Sequence, residues 1–123
     1  MNAHADAPPS FLGPRTGIAG ILEIEGELVI SGTVRGQIAA IRVVIGRGGY
    51  VEGDVIAFEV VIAGQLNGRV FAPTVTIDAS AQVDGRIFHT NLTVARGASM
   101  RGRTPWRPAS YFETLDKLPE ERP

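Results

Sequence analysis

The chain has 123 residues, a 44% apolar fraction, no cysteine and a net charge of −1. That length holds at most one ordinary domain, and the missing thiols exclude disulfides and thiolate metal sites. The near-neutral charge excludes the basic surface a nucleic-acid binder needs, and no apolar run approaches the roughly 18 residues of a membrane span. No basic segment followed by an apolar run marks a secretory signal either.

Residues 1–17 contain Pro8, Pro9 and Pro14 and show no periodicity. They read as a disordered arm with one apolar spot, Phe11-Leu12, the only candidate there for membrane contact. From residue 18 a repeat begins, built on an apolar-x-Gly-x-apolar unit. It appears as Val34-Arg35-Gly36-Gln37-Ile38, Val51-Glu52-Gly53-Asp54-Val55, Leu66-Asn67-Gly68-Arg69-Val70 and Val83-Asp84-Gly85-Arg86-Ile87, with a degraded copy at Met100-Arg101-Gly102-Arg103-Thr104. Successive glycines stand 17, 15, 17 and 17 residues apart, and Gly20 lies 16 before Gly36.

A second column fixes the alignment. Nine residues after four of these glycines come Ile45, Ile62, Ile77 and Val94, and two residues before those come Val43, Val60, Val75 and Leu92. All variation in length falls in the return segment, which is rich in Gly, Ser, Asp and Ala as turns should be. Short runs of period-two alternation rich in Val and Ile, bounded by turn residues, are the signature of strands. One coil of this repeat buries too few apolar side chains to offset its ordering entropy, whereas stacked coils share ladder hydrogen bonds and a continuous core. The sequence therefore predicts an all-β parallel β-helix, a solenoid of about six coils over residues 18–104. At the strand spacing of about 4.8 Å it forms a rod roughly 25–30 Å long. The repeat glycines read as tight corners between two inward apolar positions. The column four residues after them, Ala40, Ala57, Ala72, His89 and Trp106, reads as an inward corner closed by its last two members.

The tail, residues 105–123, opens with Pro105-Trp106-Arg107-Pro108. Ser110 to Glu113 then fits a capping box before a short helix to Leu118, with Tyr111, Leu115 and Leu118 on one face. So short a helix needs something to dock on.

Outward positions stack between coils, placing Arg35 over Glu52 and Asp54 over Arg69, an arrangement that helps register. Arg69, Arg86 and Arg103 form a like-charged ladder, read either as a solvated face or as a docking strip for an acidic partner. Ile56, Phe71 and Phe88 form an outward apolar column, either covered by the tail or left as a lateral contact surface.

With the repeat aligned, the chain resembles the bactofilins, bacterial polymer-forming cytoskeletal proteins. The resemblance is carried by Leu28-Val-Ile-Ser-Gly-Thr-Val-Arg-Gly-Gln-Ile38, Val51-Glu-Gly-Asp-Val55, Gly64-Gln-Leu-Asn-Gly-Arg-Val70 and Gly97-Ala-Ser-Met-Arg-Gly102, and covers residues 18–104. It implies a right-handed β-helix of triangular section and end-to-end filaments that need no nucleotide. It also implies a place in the cytoplasm, often at the inner membrane, and scaffolding of cell-wall enzymes or other morphogenetic partners. The family's usual apolar and basic membrane-targeting start is replaced here by Met1-Asn-Ala-His-Ala-Asp6.

Catalysis finds little footing. A hexapeptide-repeat acyltransferase needs coils of 18 residues and a histidine base, and only His4 and His89 are available. Glu52, Asp78 and Asp84 read as solvated charge rather than as a hydrolase or lyase centre. Gly46-Arg-Gly-Gly49 lacks the Gly-Lys-Ser/Thr and the helix of a phosphate loop. No catalytic, cofactor or metal residue is assigned, and the alternative to a polymer is a β-helix binding module. For a polymer, the contact falls on apolar residues of the end coils: Ile18, Leu22, Ile24 and Leu28 at the start, and Leu92, Val94 and Met100 at the finish. Glu23, Glu25 and Glu27 near the start face Arg96, Arg101, Arg103 and Arg107 near the finish. That asymmetry favours head-to-tail stacking, with apolar matching as the force for head-to-head pairs.

Overall fold

A computed structural model describes residues 10–113. Six short strands make one parallel sheet: β1 (Ser10–Leu12), β3 (Glu27–Ile30), β5 (Arg42–Ile45), β7 (Glu59–Ile62), β9 (Thr74–Ile77) and β11 (Asn91–Val94). Six longer strands make a second: β2 (Gly17–Glu23), β4 (Thr33–Ala39), β6 (Tyr50–Ile56), β8 (Gln65–Phe71), β10 (Gln82–Phe88) and β12 (Ser99–Arg103). Each coil gives one strand to each sheet, so the chain is a parallel β-solenoid of six coils. A short helix, α1 (Ala109–Glu113), follows.

The register is the one the sequence columns dictate. Ile30, Ile45, Ile62, Ile77 and Val94 stack in one file, and Leu28, Val43, Val60, Val75 and Leu92 in the next. On the longer strands Val34, Val51, Leu66 and Val83 stack, as do Ile38, Val55, Val70 and Ile87. All of these except Leu92 and Val94, which sit on the last coil, are buried in a single core that runs the length of the rod.

Between the two inward files of the longer strands runs the glycine file: Gly20, Gly36, Gly53, Gly68, Gly85 and Gly102. Each has positive φ, from 115° at Gly102 to 146° at Gly68. Glycine with this backbone inside a strand marks a tight bend. A Cβ at Gly68 would land on the carbonyl oxygen of Gly53, far inside van der Waals contact, and the same collision recurs coil after coil from Gly36 to Gly102. The expected corner is therefore real, and it lies inside a hydrogen-bonded strand rather than between strands.

Two boundaries differ from the sequence reading. The solenoid begins before residue 18, because Ser10–Leu12 pairs with Leu28–Ile30 in parallel. Leu12 lies over Ile30 and packs against the core, and its carbonyl accepts a hydrogen bond from the Ser31 amide at 2.8 Å. A three-residue strand ahead of Pro14 is too short to show a period, so the arm concealed it. The Gly13–Thr16 turn closes on a 3.0 Å hydrogen bond from the Thr16 amide to the Gly13 carbonyl, and Pro14 sits within it. At the other end α1 starts at Ala109, one residue before the expected capping serine. The Tyr111 amide donates to the Pro108 carbonyl at 2.9 Å, so Ser110 lies within the first turn and not at its cap. Leu115 and Leu118 lie outside the described residues.

Gly68→Ala should destabilise the fold by at least about 3 kcal/mol, since it adds backbone strain of about 1–3 kcal/mol to a collision with main chain. Gly48→Ala, in an open turn where the added Cβ meets nothing closer than 3.6 Å, should stay within about 0.5 kcal/mol of the parent. Urea unfolding of the two variants side by side would show whether the glycine file carries this difference.

Candidate functional site

The ends of the rod are the first surface with an unspent capacity to bind. Among the described residues, β1 and β2 at the N-terminal end each have a paired neighbour on one side only, as do β11 and β12 at the C-terminal end. Such edges carry rows of unpaired amides and carbonyls, which natural proteins otherwise cover or charge. Ile18, Leu22 and Ile24 lie half-buried at the first end, as do Leu92 and Met100 at the last, where Val94 is 47% exposed. Leu28 does not belong with them. Leu28 is buried, because β1 covers β3 and moves the true end face one coil outward. Leu12 takes its place: it is half-buried on the edge strand and packed on the core. Of the proposed membrane pair, then, Leu12 is turned into the solenoid, while Phe11 is 70% exposed.

Charge on the outer faces follows the ladder. Arg69 grips Asp54 with two hydrogen bonds, Nε to Oδ1 at 2.8 Å and Nη2 to Oδ2 at 3.1 Å. Arg35 Nε lies 3.5 Å from Glu52 Oε1. Both pairs are those the repeat alignment placed on adjacent coils. A third group spans three coils and escaped the sequence reading: Arg42 stands between Glu27 and Glu59, bonded to both, with its Nε 3.0 Å from Glu59 Oε1. Burial works against the charge on Arg42, but hydrogen bonds and charge from Glu59 and Glu27 together outweigh it and raise the guanidinium pKa. Arg69, Arg86 and Arg103 do stand in register. The ladder is not a uniform basic strip, however, because its first member is committed to Asp54 and also lies 5.5 Å from the centre of the Phe71 ring.

The apolar column resolves in favour of the tail. Phe71 is fully buried, Phe88 is 6% exposed and Phe112 of α1 is 8% exposed, and the three form a second core outside the solenoid with Ile56 and Tyr111 packed on it. Phe71 and Phe88 stack at 4.6 Å with ring planes 7° apart. Tyr111 lies 6.4 Å from Phe88 and meets Phe112 edge-on at 5.0 Å, while the Arg107 guanidinium sits 5.4 Å from Phe88 and 5.7 Å from Tyr111. Phe71 and Phe88 are thus removed from the set of lateral-contact residues, and Tyr111 is half-buried against them. Phe112 carries no separate sign of this role in the sequence, because a single helical turn shows no period.

Trp106 bridges His89 in parallel but is 59% exposed, so it does not close the end of the stack. His89 Nε2 lies 3.1 Å from the Thr104 carbonyl oxygen. That contact ties the last coil to the tail, which suits a structural histidine and not a base. Among the described residues no three His, Asp or Glu side chains gather as a metal site, and no helix is long and apolar enough to cross a membrane.

Residues 10–105 match the model of the bactofilin family, described as polymer-forming cytoskeletal. Among solved structures, the cryo-EM reconstruction of Thermus thermophilus bactofilin double helical filaments matches with a TM-score of 0.74 at 29% identity, covering 80% of this chain and 99% of that one. A search of curated proteins returned no match.

Phe112→Ala should cost about 3 kcal/mol through loss of a buried ring and should expose Phe71 and Phe88. Binding of a hydrophobic dye such as ANS should rise severalfold while the circular dichroism of the solenoid stays unchanged. Equal dye binding by parent and variant would show that α1 does not cover the strip.

Proposed function

We propose that this chain, which belongs to the bactofilin family of polymer-forming cytoskeletal proteins, assembles end to end into filaments without nucleotide, the contact lying on its two end faces. The observation that carries this is the pair of open coil edges. Each joins unpaired strand to half-exposed apolar side chains: Leu12, Ile18, Leu22 and Ile24 at one end, Leu92, Val94 and Met100 at the other. A copy stacked on such an edge extends the parallel ladders and buries the apolar rim in one step. The filament of the Thermus protein, matched over nearly its whole chain, supports the same use of the fold here.

The reading places the protein in the cytoplasm as a scaffold and not as a catalyst, presenting the long outer faces of the rod to cell-wall enzymes or other morphogenetic partners. The charged ladders suit that role. Exposed pairs such as Arg35–Glu52 add little stability by themselves, yet they repeat along every copy in a polymer and so present a periodic surface. If the filament lies at a membrane, Phe11, exposed on the first coil, is an apolar side chain placed to meet it, and Arg15 is the nearest basic residue along the chain.

Electron microscopy of the purified protein should show filaments in plain buffer, with no change on adding ATP or GTP. Leu22→Arg or Met100→Arg strands a charge in the contact. A loss of about 3 kcal/mol raises the concentration needed for assembly about a hundredfold. Both variants should sediment as soluble species with unchanged circular dichroism. A parent protein that stays monodisperse at high concentration, or variants that polymerise as it does, would overturn the assignment.

A further inference from the structure

A polar cleft of about 300 Å³ lies on the outer face of the longer sheet, ahead of the glycine bend, whereas the aromatic strip lies beyond it. Two files of outward side chains form its walls. One runs Tyr50, Gln65, Gln82 and Ser99, the other Asn67, Asp84 and Arg101. The walls stand two strand residues apart, about 6.6 Å, on either side of the inward Leu66 and Val83. From Tyr50 to Ser99 the trough spans three coil steps, about 14 Å along the rod.

Upstream in the same files the polar groups satisfy one another. The Tyr50 hydroxyl donates to Glu52 Oε1 at 3.3 Å, and Glu52 meets Arg35. Inside the cleft they do not. Among the described residues, Gln65, Asn67, Gln82, Asp84, Ser99 and Arg101 have no side-chain hydrogen bond or ion pair. Asp84 and Arg101 stand in register one coil apart, as Arg35 and Glu52 do, yet only the latter pair closes. Six polar side chains with unspent hydrogen-bonding capacity therefore converge on one trough, with a half-buried aromatic ring at its end.

We propose that this trough binds a linear, neutral glycan of equatorially linked pyranose rings, lying along the rod with one ring to each coil step. A side-chain amide both donates and accepts, which matches vicinal hydroxyls that do the same. Gln65, Asn67 and Gln82 supply such groups on both walls. A hydroxyl can bridge Asp84 and Arg101, giving its proton to the carboxylate and its lone pair to the guanidinium. The negative face of the Tyr50 ring attracts the C–H groups on the apolar side of a sugar. Spacing decides against an extended peptide, which advances about 3.3 Å per residue and repeats its side chains at about 6.6 Å. Neither interval fits coils about 4.8 Å apart, whereas one equatorially linked ring advances by nearly that step. The carboxylate of Asp84 in the trough disfavours a polyanion.

Calorimetric titration of the full chain with cellotetraose should give a Kd of about 1 mM or tighter. Maltotetraose, whose axial linkages curve it away from a straight trough, should bind at least about tenfold more weakly. Tyr50→Ala should weaken cellotetraose by about tenfold. Gln82→Ala, at an exposed position that leaves the core intact, should weaken it about fivefold and decides the matter if the tyrosine variant misfolds. No binding of cellotetraose, equal affinity for the curved chain, or a Gln82→Ala variant that binds as the parent does would each overturn the proposal. Preferential binding of a (Gly-Ser)3 peptide would assign the trough to extended main chain and overturn it as well. The inference stands apart from assembly. Filaments formed by Gln82→Ala, and cellotetraose bound by the unassembled Leu22→Arg variant, would show the two to be separate.

Discussion

Main chain touching main chain at the glycine file is the constraint on which the solenoid rests. Carbonyl oxygens of one coil occupy the space where the next coil's Cβ would be, from Gly36 to Gly102. Only glycine admits both that approach and the positive φ of the bend. Because the bend recurs at one place in every coil, the inward files on either side of it stay in line. The core is therefore a set of straight columns and not a jigsaw of unlike shapes. Polar side chains are then forced outward, and among the described residues no polar or charged one is buried.

The outer faces inherit the same order. Parallel in-register stacking puts like positions over like positions, which would pile up equal charges if the sequence did not alternate them. Arg42 between Glu27 and Glu59, and Asp54 beneath Arg69, are the alternations that matter most. Where the alternation lapses, at Arg69, Arg86 and Arg103, the first arginine is held by Asp54 and lies against Phe71. Charge on this surface is thus arranged by the ladder first, and any partner reads what the ladder allows.

Most of the solenoid was legible because each column is sampled several times. The file Ile45, Ile62, Ile77 and Val94 needs no single residue to be diagnostic, since the constant half-repeat supplies the register. Legibility failed where a feature occurs once. The strand Ser10–Leu12 is three residues long and lies ahead of a proline, so Leu12 passed for part of an arm and Leu28 for an end residue. The burial of Phe71 and Phe88 depends on one turn of helix at Phe112, whose direction no local pattern specifies. The outward column itself was visible, but whether it was covered was a tertiary question.

The return turns have a further consequence, for how the chain folds. Every ladder contact joins residues 15–18 positions apart. Parallel sheets ordinarily demand distant pairings and fold slowly, because long loops must close before any contact rewards them. Here each coil closes a loop of nearly the same small size onto its predecessor. Any adjacent pair of coils can serve as the nucleus, and growth proceeds in both directions by equivalent steps. A chain emerging from the ribosome can therefore lay down its rod one coil at a time. The segment that closes over Phe71 and Phe88 follows the coils it covers in the chain, so it finds its place only after they have formed.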